Sequence, residues 1–292
     1  MSKQLSAKIV VNSVGAIAAT IVAGWVIYSM LASDAPAVCE GRYASSTRFA
    51  FTDEAGQPLS DSELQARVGS NEWGVLDNSS IVAGKRGAPS KYILEVNIQK
   101  GTGSGLRSTQ PRGGISFVWS PFDMKQQPAN AACLSYSLFL PPDFQFGAGG
   151  TLPGLFIGTD FDPRGGPEIG AGAGARLGWQ KDGVIGVNLQ FAGKDGWQNP
   201  PVVHAQTSWP RGRWVAVEQE VILNSAGKKD GMVRLWLDGM LAAENKSIGL
   251  RGDESLTLSG VLADVHYGTL SNSGLAPKDT QIRMTPFVLR WQ

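Results

Sequence analysis

Apolar and polar positions alternate with a period of two through most of the chain. Tyr92, Leu94, Val96 and Ile98 fall on one face of a run whose other face carries Glu95, Asn97 and Gln99. Tyr136, Leu138 and Leu140 alternate with Ser135, Ser137 and Phe139, and Val187, Leu189 and Phe191 alternate with Asn188 and Gln190. Val215, Val217, Val221 and Leu223 alternate with Trp214, Ala216, Glu218 and Glu220, and Val233, Leu235 and Leu237 with Arg234 and Trp236. This is the side-chain period of strands with one buried face. Asp238-Gly239 then leads into Leu241, a hairpin signal. Lys181-Asp182-Gly183 reads as another turn, joining a strand with Ala175, Leu177 and Trp179 inward to the strand that carries Val187 and Leu189. As antiparallel neighbours, these two strands put Arg176, Asn188 and Gln190 on one sheet face. Helical spacing is clearest at 61–68, where Ser60 can cap and Glu63 can complete a capping box. The whole pattern predicts an all-β fold, an antiparallel sandwich or jelly roll.

The N-terminus departs from this pattern. Residues 9–32 carry no charge, with Lys3 and Lys8 before them and Asp34 and Glu40 after. At about 1.5 Å per residue, such a run spans a bilayer core of about 30 Å. The positive-inside rule leaves residues 1–8 in the cytoplasm and carries the rest out. The predicted organisation is a tail (1–8), a transmembrane signal anchor (9–32), a linker (33–42) and one domain (43–292). A cleaved signal peptide is the rival reading, with a cut near Met30 to Ala35. The first reading anchors the domain at the membrane, in the periplasm or outside the cell, and the second secretes it. In an oxidising compartment Cys39 and Cys133 can pair as a disulfide. Two cysteines and two histidines make no convincing zinc site.

Composition narrows the function. The chain has 292 residues, with 26 Lys+Arg against 25 Asp+Glu, so its overall field does not attract nucleic acid. Its 37 Gly and 16 Pro follow no collagen period and suit a turn-rich β protein. Nine Trp suit a packed core first and sugar stacking second. Arg176, Asn188 and Gln190 would suit an acidic sugar, because arginine grips a carboxylate while amides meet hydroxyls. Gln99, Thr151 and Trp197 are further candidates for sugar contact. His204, His266 and the adjacent Tyr267 are candidate proton-transfer groups. Glu218 and Glu220 share a face, as a hydrolase pair does, but lack the E-x-D-x-E pattern of sandwich hydrolases. Gly101-Thr102-Gly103-Ser104-Gly105 lacks the Lys-Ser/Thr of a phosphate loop, and neither G-x-S-x-G nor H-E-x-x-H occurs.

Several strings together resemble polysaccharide lyase family 14, the alginate-lyase-like jelly rolls, with glucuronan lyases as related enzymes. Gly149-Gly150-Thr151-Leu152-Pro153-Gly154-Leu155 resembles that family's G-G-K-L-P-G-L. Leu134 to Phe146, Ala175-Arg176-Leu177-Gly178-Trp179, Arg213 to Asn224 and Gly227 to Gly239 resemble its other conserved stretches, so the likeness covers residues 90–292. The resemblance implies a jelly-roll (concanavalin-like) antiparallel β-sandwich with a cleft on its concave sheet, and β-elimination on a uronic-acid polysaccharide. It implies no cofactor, since the elimination consumes no water and a metal is optional. The partners implied are an acidic polysaccharide and, through the N-terminal helix, a membrane.

The departures fall at the groups that would move protons. The family's lysine is Thr151 here, its serine is Gly174, and its two strand tyrosines are Asn188 and Gln190, while its arginine is kept as Arg176. Threonine and the amides do not titrate near neutrality. One expectation is a lyase re-equipped with His204, His266 or Tyr267 and with Arg176, Asn188 and Gln190 as carboxylate clamp. The other is a non-catalytic carbohydrate-binding module at the cell envelope.

Overall fold

A computed structural model describes residues 38–39, 41–104, 111–126, 128–158, 172–193, 196–198, 203–269 and 274–292. The predicted anchor at 9–32 lies outside the described residues. Among the described residues, no helix is long and apolar enough to cross a membrane.

Two nine-stranded sheets make the fold, with strands numbered β1 to β18 in chain order. The first sheet has β1 (Ser45–Phe49), β3 (Ser79–Ala83), β4 (Tyr92–Ile98), β6 (Ala131–Phe139), β12 (Trp214–Ile222), β13 (Gly231–Leu237), β14 (Met240–Ile248), β17 (Thr280–Met284) and β18 (Phe287–Trp291). Its main order is β14-β13-β12-β6-β17-β4-β3, with β18 also on β6 and β1 on β18. The second has β2 (Glu72–Trp73), β5 (Ser116–Trp119), β7 (Gly149–Gly158), β8 (Gly172–Gln180), β9 (Val184–Gly193), β10 (Gly196–Gln198), β11 (Val203–Ser208), β15 (Leu258–Leu262) and β16 (His266–Tyr267). Its main order is β10-β9-β8-β7-β15-β5-β2, with β11 on β9 and β16 on β7. All these pairings are antiparallel. The helices are short: α1 (Asp61–Val68), α2 (Val75–Asn78) and α3 (Phe122–Gln126).

The alternation explains which face of each strand is buried. Leu94, Val96 and Ile98 of β4, Tyr136 and Leu138 of β6, and Val215, Val217 and Val221 of β12 enter the core from the first sheet. Leu177 and Trp179 of β8 and Val187 and Leu189 of β9 meet them from the second. The expected turns form. Asp238 and Gly239 both take positive φ between β13 and β14, and Asp182 does so between β8 and β9. Positive φ at both central residues is what a two-residue hairpin turn of the primed type needs. Ser60 and Glu63 form the expected capping box of α1.

One core position breaks the pattern. Gln219 sits between Val217 and Val221 with no exposure. The β7–β8 register shifts at Leu152/Gly154, around Pro153, which has no N–H to give a ladder. Gln219 reaches across from the first sheet to this spot. Its Nε2 donates to Ala175 O (2.7 Å) and its Oε1 accepts from Leu155 N (3.1 Å).

The chain enters over the outer face of the first sheet, and Cys39 forms the expected disulfide with Cys133 of β6. Glu220, 1% exposed, accepts from Tyr43 Oη and pairs with Arg42 (2.9 Å) and Arg234 (3.1 Å). Burial and this hydrogen bond to Glu220 push the Tyr43 phenol well above its usual range. Glu218 lies on the same outer face. Glu220 is thus buried and committed to structural partners, so the half-buried Glu218 has no free carboxylate beside it to form a hydrolase pair.

Candidate active site

The outward face of the second sheet carries the predicted site. Strand register fixes a row across five strands: His266 of β16, Thr151 of β7, Gly178 of β8, Gly186 of β9 and His204 of β11. A second row holds Gly154, Arg176 and Asn188. Directly opposed residues of antiparallel strands share a face, so the expected grouping of Arg176 with Asn188 holds. Gly178 is needed for close packing, since a Cβ there would meet Gly150 O at 2.4 Å and Asn188 Nδ2 at 2.7 Å.

The centre of the cluster is Asp264, which the sequence reading did not single out. Its flanking residues Ala263 and Val265 are fully buried and bond to the backbone of the β5 edge, so Asp264 points to the opposite face. Ser116 of β5 does the same between Ile115 and Phe117. Asp264 Oδ1 accepts from Ser116 Oγ, and its Oδ2 pairs with Arg176 Nη1. The same Oδ2 lies 4.0 Å from His266 Nε2. A signal for this was present: Asp264 and His266 are two residues apart with apolar Val265 between, the spacing of one strand face.

His266 is 5% exposed and packs on Trp73 with ring centroids 5.9 Å apart. Its Nδ1 lies 3.1 Å from Tyr267 O. A carbonyl only accepts, so this contact assigns the N–H to Nδ1 and leaves the Nε2 lone pair open. Burial holds the imidazole below its ordinary pKa of 6.5; Asp264 pulls the other way and Arg176 adds to the lowering. His266 is therefore a neutral base at neutral pH, beside a carboxylate that can stabilise the imidazolium once formed.

The other candidates separate. Tyr267 follows His266 on the strand and so faces the core, stacked on Phe144 at 5.8 Å and edge-on to Trp179 at 5.3 Å. Its hydroxyl donates to Gln145 O, and burial pushes its pKa well up. That corrects its assignment as a proton-transfer group on this face. Thr151 is 2% exposed and donates to Gly268 O (3.1 Å), so its hydroxyl ties β7 to the turn after β16 and is not presented to a sugar. Arg176 is 7% exposed and already holds Asp264, so it is not the open carboxylate clamp that the sequence suggested. Asn188 Nδ2 is buried and has no hydrogen-bond acceptor among the described residues. His204 is exposed on the same face, but four strand spacings from His266, about 19 Å at about 4.8 Å each. Gln99 lies just beyond the end of β4, in the other sheet, and so is not part of this cluster. The side chains of Gln190 and Trp197 lie outside the described residues.

The comparisons with known proteins follow this geometry. A family profile described as polysaccharide lyase 14 matches residues 87–287. Among curated protein sequences, none matches the chain. Among solved structures, the fold is similar to a PL-14 alginate lyase from Aplysia kurodai, with TM-score 0.65 and 21% identity over 86% of this chain and 99% of that one. It is also similar to an alginate lyase from a Chlorella virus (TM-score 0.55, 20% identity, 74% and 90% covered). An endo-β-1,4-glucuronan lyase from the fungus Trichoderma reesei gives TM-score 0.53 at 12% identity, with 73% and 87% covered. These identities speak for the fold. The profile spans the strands that carry Arg176, Asn188 and His266, and by that match the chain belongs to polysaccharide lyase family 14.

Proposed function

We propose that the chain cleaves a uronic-acid polysaccharide by β-elimination, with His266 moving the proton. The observation that carries this reading is the buried, neutral His266 beside the Asp264–Arg176 pair, on the face where the family's arginine is kept. The structural relatives that act on alginate and glucuronan support the substrate class.

The chemistry asks for three things. The C5 proton of a uronate is weakly acidic, so the charge that develops on the neighbouring carboxylate must be stabilised. Turned outward from its buried position, the Asn188 amide donates to that carboxylate, and Arg176 supplies positive potential from beneath it. A base must then take the C5 proton, and His266 Nε2 does so as its positive charge is met by Asp264. Finally the C4–O4 bond breaks, C4=C5 forms, and O4 leaves with a proton returned by the His266 imidazolium. Atoms balance without water, and the site's lack of the family's tyrosines and lysine is met by one residue working in both directions.

This economy sets the stereochemistry. One imidazole serves both atoms only when the C5 proton and O4 lie on the same side of the ring. They do so in glucuronate and mannuronate, and lie on opposite sides in galacturonate and guluronate. The test is ultraviolet absorbance of the unsaturated product from wild-type and His266→Gln chains, with binding to the polymer measured in parallel. The expected result is loss of turnover by about 10²-fold or more with binding retained. Retention of the polymer by the wild type without any product would contradict the reading.

The domain is further proposed to work outside the cytoplasm, held there by the uncharged run at 9–32. Lys3 and Lys8 ahead of that run, and the disulfide at Cys39 and Cys133, support this. Protease added to intact cells should remove the domain, and protection of the domain in intact cells would count against it.

A further inference from the structure

The first sheet carries a second feature on its outer side, apart from the Asp264 cluster. Four side chains from β4 and β17 form one directed hydrogen-bond relay. Arg283 Nε donates to Glu95 Oε2 (2.6 Å) and Arg283 Nη2 donates to Gln281 Oε1 (3.0 Å). Gln281 Nε2 then donates to Asn97 Oδ1 (3.0 Å). The relay fixes both amides, so they need little ordering on binding. It also leaves the Asn97 Nδ2 hydrogens as its outermost donors.

This relay ends in a hollow of about 350 Å³ bounded by Asn97, Gln281, Gln99, Pro141, Asp143 and Asp279 among others. That size is at the lower end for small-molecule sites. Arg283 covers the Phe139 ring at 5.7 Å, and Phe139 packs on Trp214 at 5.5 Å, so half-buried aromatic surface adjoins the relay on the same face. The hollow itself offers oriented amide donors, carboxylate acceptors and the apolar ring of Pro141.

We propose that this hollow binds a neutral, hydroxyl-rich saccharide, a ligand distinct from the uronate at the other sheet. Sugar hydroxyls donate to carboxylates and accept from amides, which suits every polar group here. A polyuronate would set its own carboxylates against Asp143 and Asp279. Lys278 pairs with Asp143 and offsets its charge, so the repulsion falls chiefly to Asp279. Such a site would tether the chain to a neutral glycan next to the uronan that it cleaves. The exposed Gln99, set apart from the Asp264 cluster, belongs to it.

The test is calorimetric titration of the full chain with hexasaccharides of β-1,4-glucan, β-1,3-glucan, β-1,4-xylan and β-1,4-mannan, and with a hexauronate on the His266→Gln background. The expected result is binding of at least one neutral hexamer, weakened about tenfold by Gln281→Ala, the loss of one well-made hydrogen bond. Because Gln281→Ala also frees Arg283, Gln99→Ala is measured beside it and is expected to weaken the same hexamer. No neutral binding, or neutral binding that both variants leave unchanged, overturns the proposal. So does hexauronate binding that these variants abolish.

Discussion

His266 sits among groups that pull its proton in opposite directions, and that balance has measurable consequences. Burial and Arg176 favour the neutral ring, while Asp264 favours the charged one. The net lowering places the acid limb of the kcat/KM profile below pH 6.5, the ordinary histidine value. Asp264→Asn removes the group that favours the charged ring, so the limb should move to still lower pH as the rate falls. A limb that stays in place would show that Asp264 does not act on His266. Linkage gives a second outcome. A histidine with a lowered folded pKa stabilises the fold above its unfolded pKa and loses that contribution as pH falls below about 6.5. Thermal unfolding of wild type and His266→Gln should therefore converge with acid. At this scale the sequence was half legible. Alternation put Arg176 and Asn188 together, because strand register follows from a short turn. It did not reveal that the Arg176 guanidinium is held by Asp264, 88 residues away, because such a contact depends on strand order. Tyr267 is adjacent to His266 in sequence but faces the core, because adjacent strand residues point to opposite sides.

The elements that carry the site are placed by the core beneath them. β7 must bend at Pro153, and Gln219 takes up the two backbone groups next to the bend. Gln219→Leu keeps the volume but leaves Leu155 N–H and Ala175 O without that partner, at a cost of about 2–4 kcal/mol. Chemical denaturation would measure it, and a change under about 0.5 kcal/mol, the size of an ordinary surface substitution, would contradict the role. The β strands themselves were legible because one face of each is buried and the period-two pattern is strong. Gln219 was not, since a polar residue at an inward position reads as an error in the pattern until the opposite sheet's bulge is known. The order of strands was equally hidden, because β16 pairs with β7 across more than a hundred residues and no local signal encodes that.

The whole domain is closed by its N-terminal segment. The disulfide links residues 94 apart. In the chain-entropy view, a loop of that length contributes roughly 4–5 kcal/mol. Beneath it, Glu220 joins Arg42, Tyr43 and Arg234. Cys39→Ser with Cys133→Ser should lower stability to denaturant by that amount, and an unchanged denaturation midpoint would mean that the strap holds without its covalent bond. Fold class, exported placement and the pairing of Cys39 with Cys133 were all expected from the sequence, and the fold and the pairing are what the structure has. The central claim concerns a single residue that carries a proton from C5 to O4 in one family frame. It is tested most directly by the rate of ultraviolet absorbance when the full chain meets glucuronan, polymannuronate, polygalacturonate and polyguluronate at equal concentration. Product is expected from glucuronan or polymannuronate and none from the other two. Product from polygalacturonate or polyguluronate alone, or from none of the four, would contradict it.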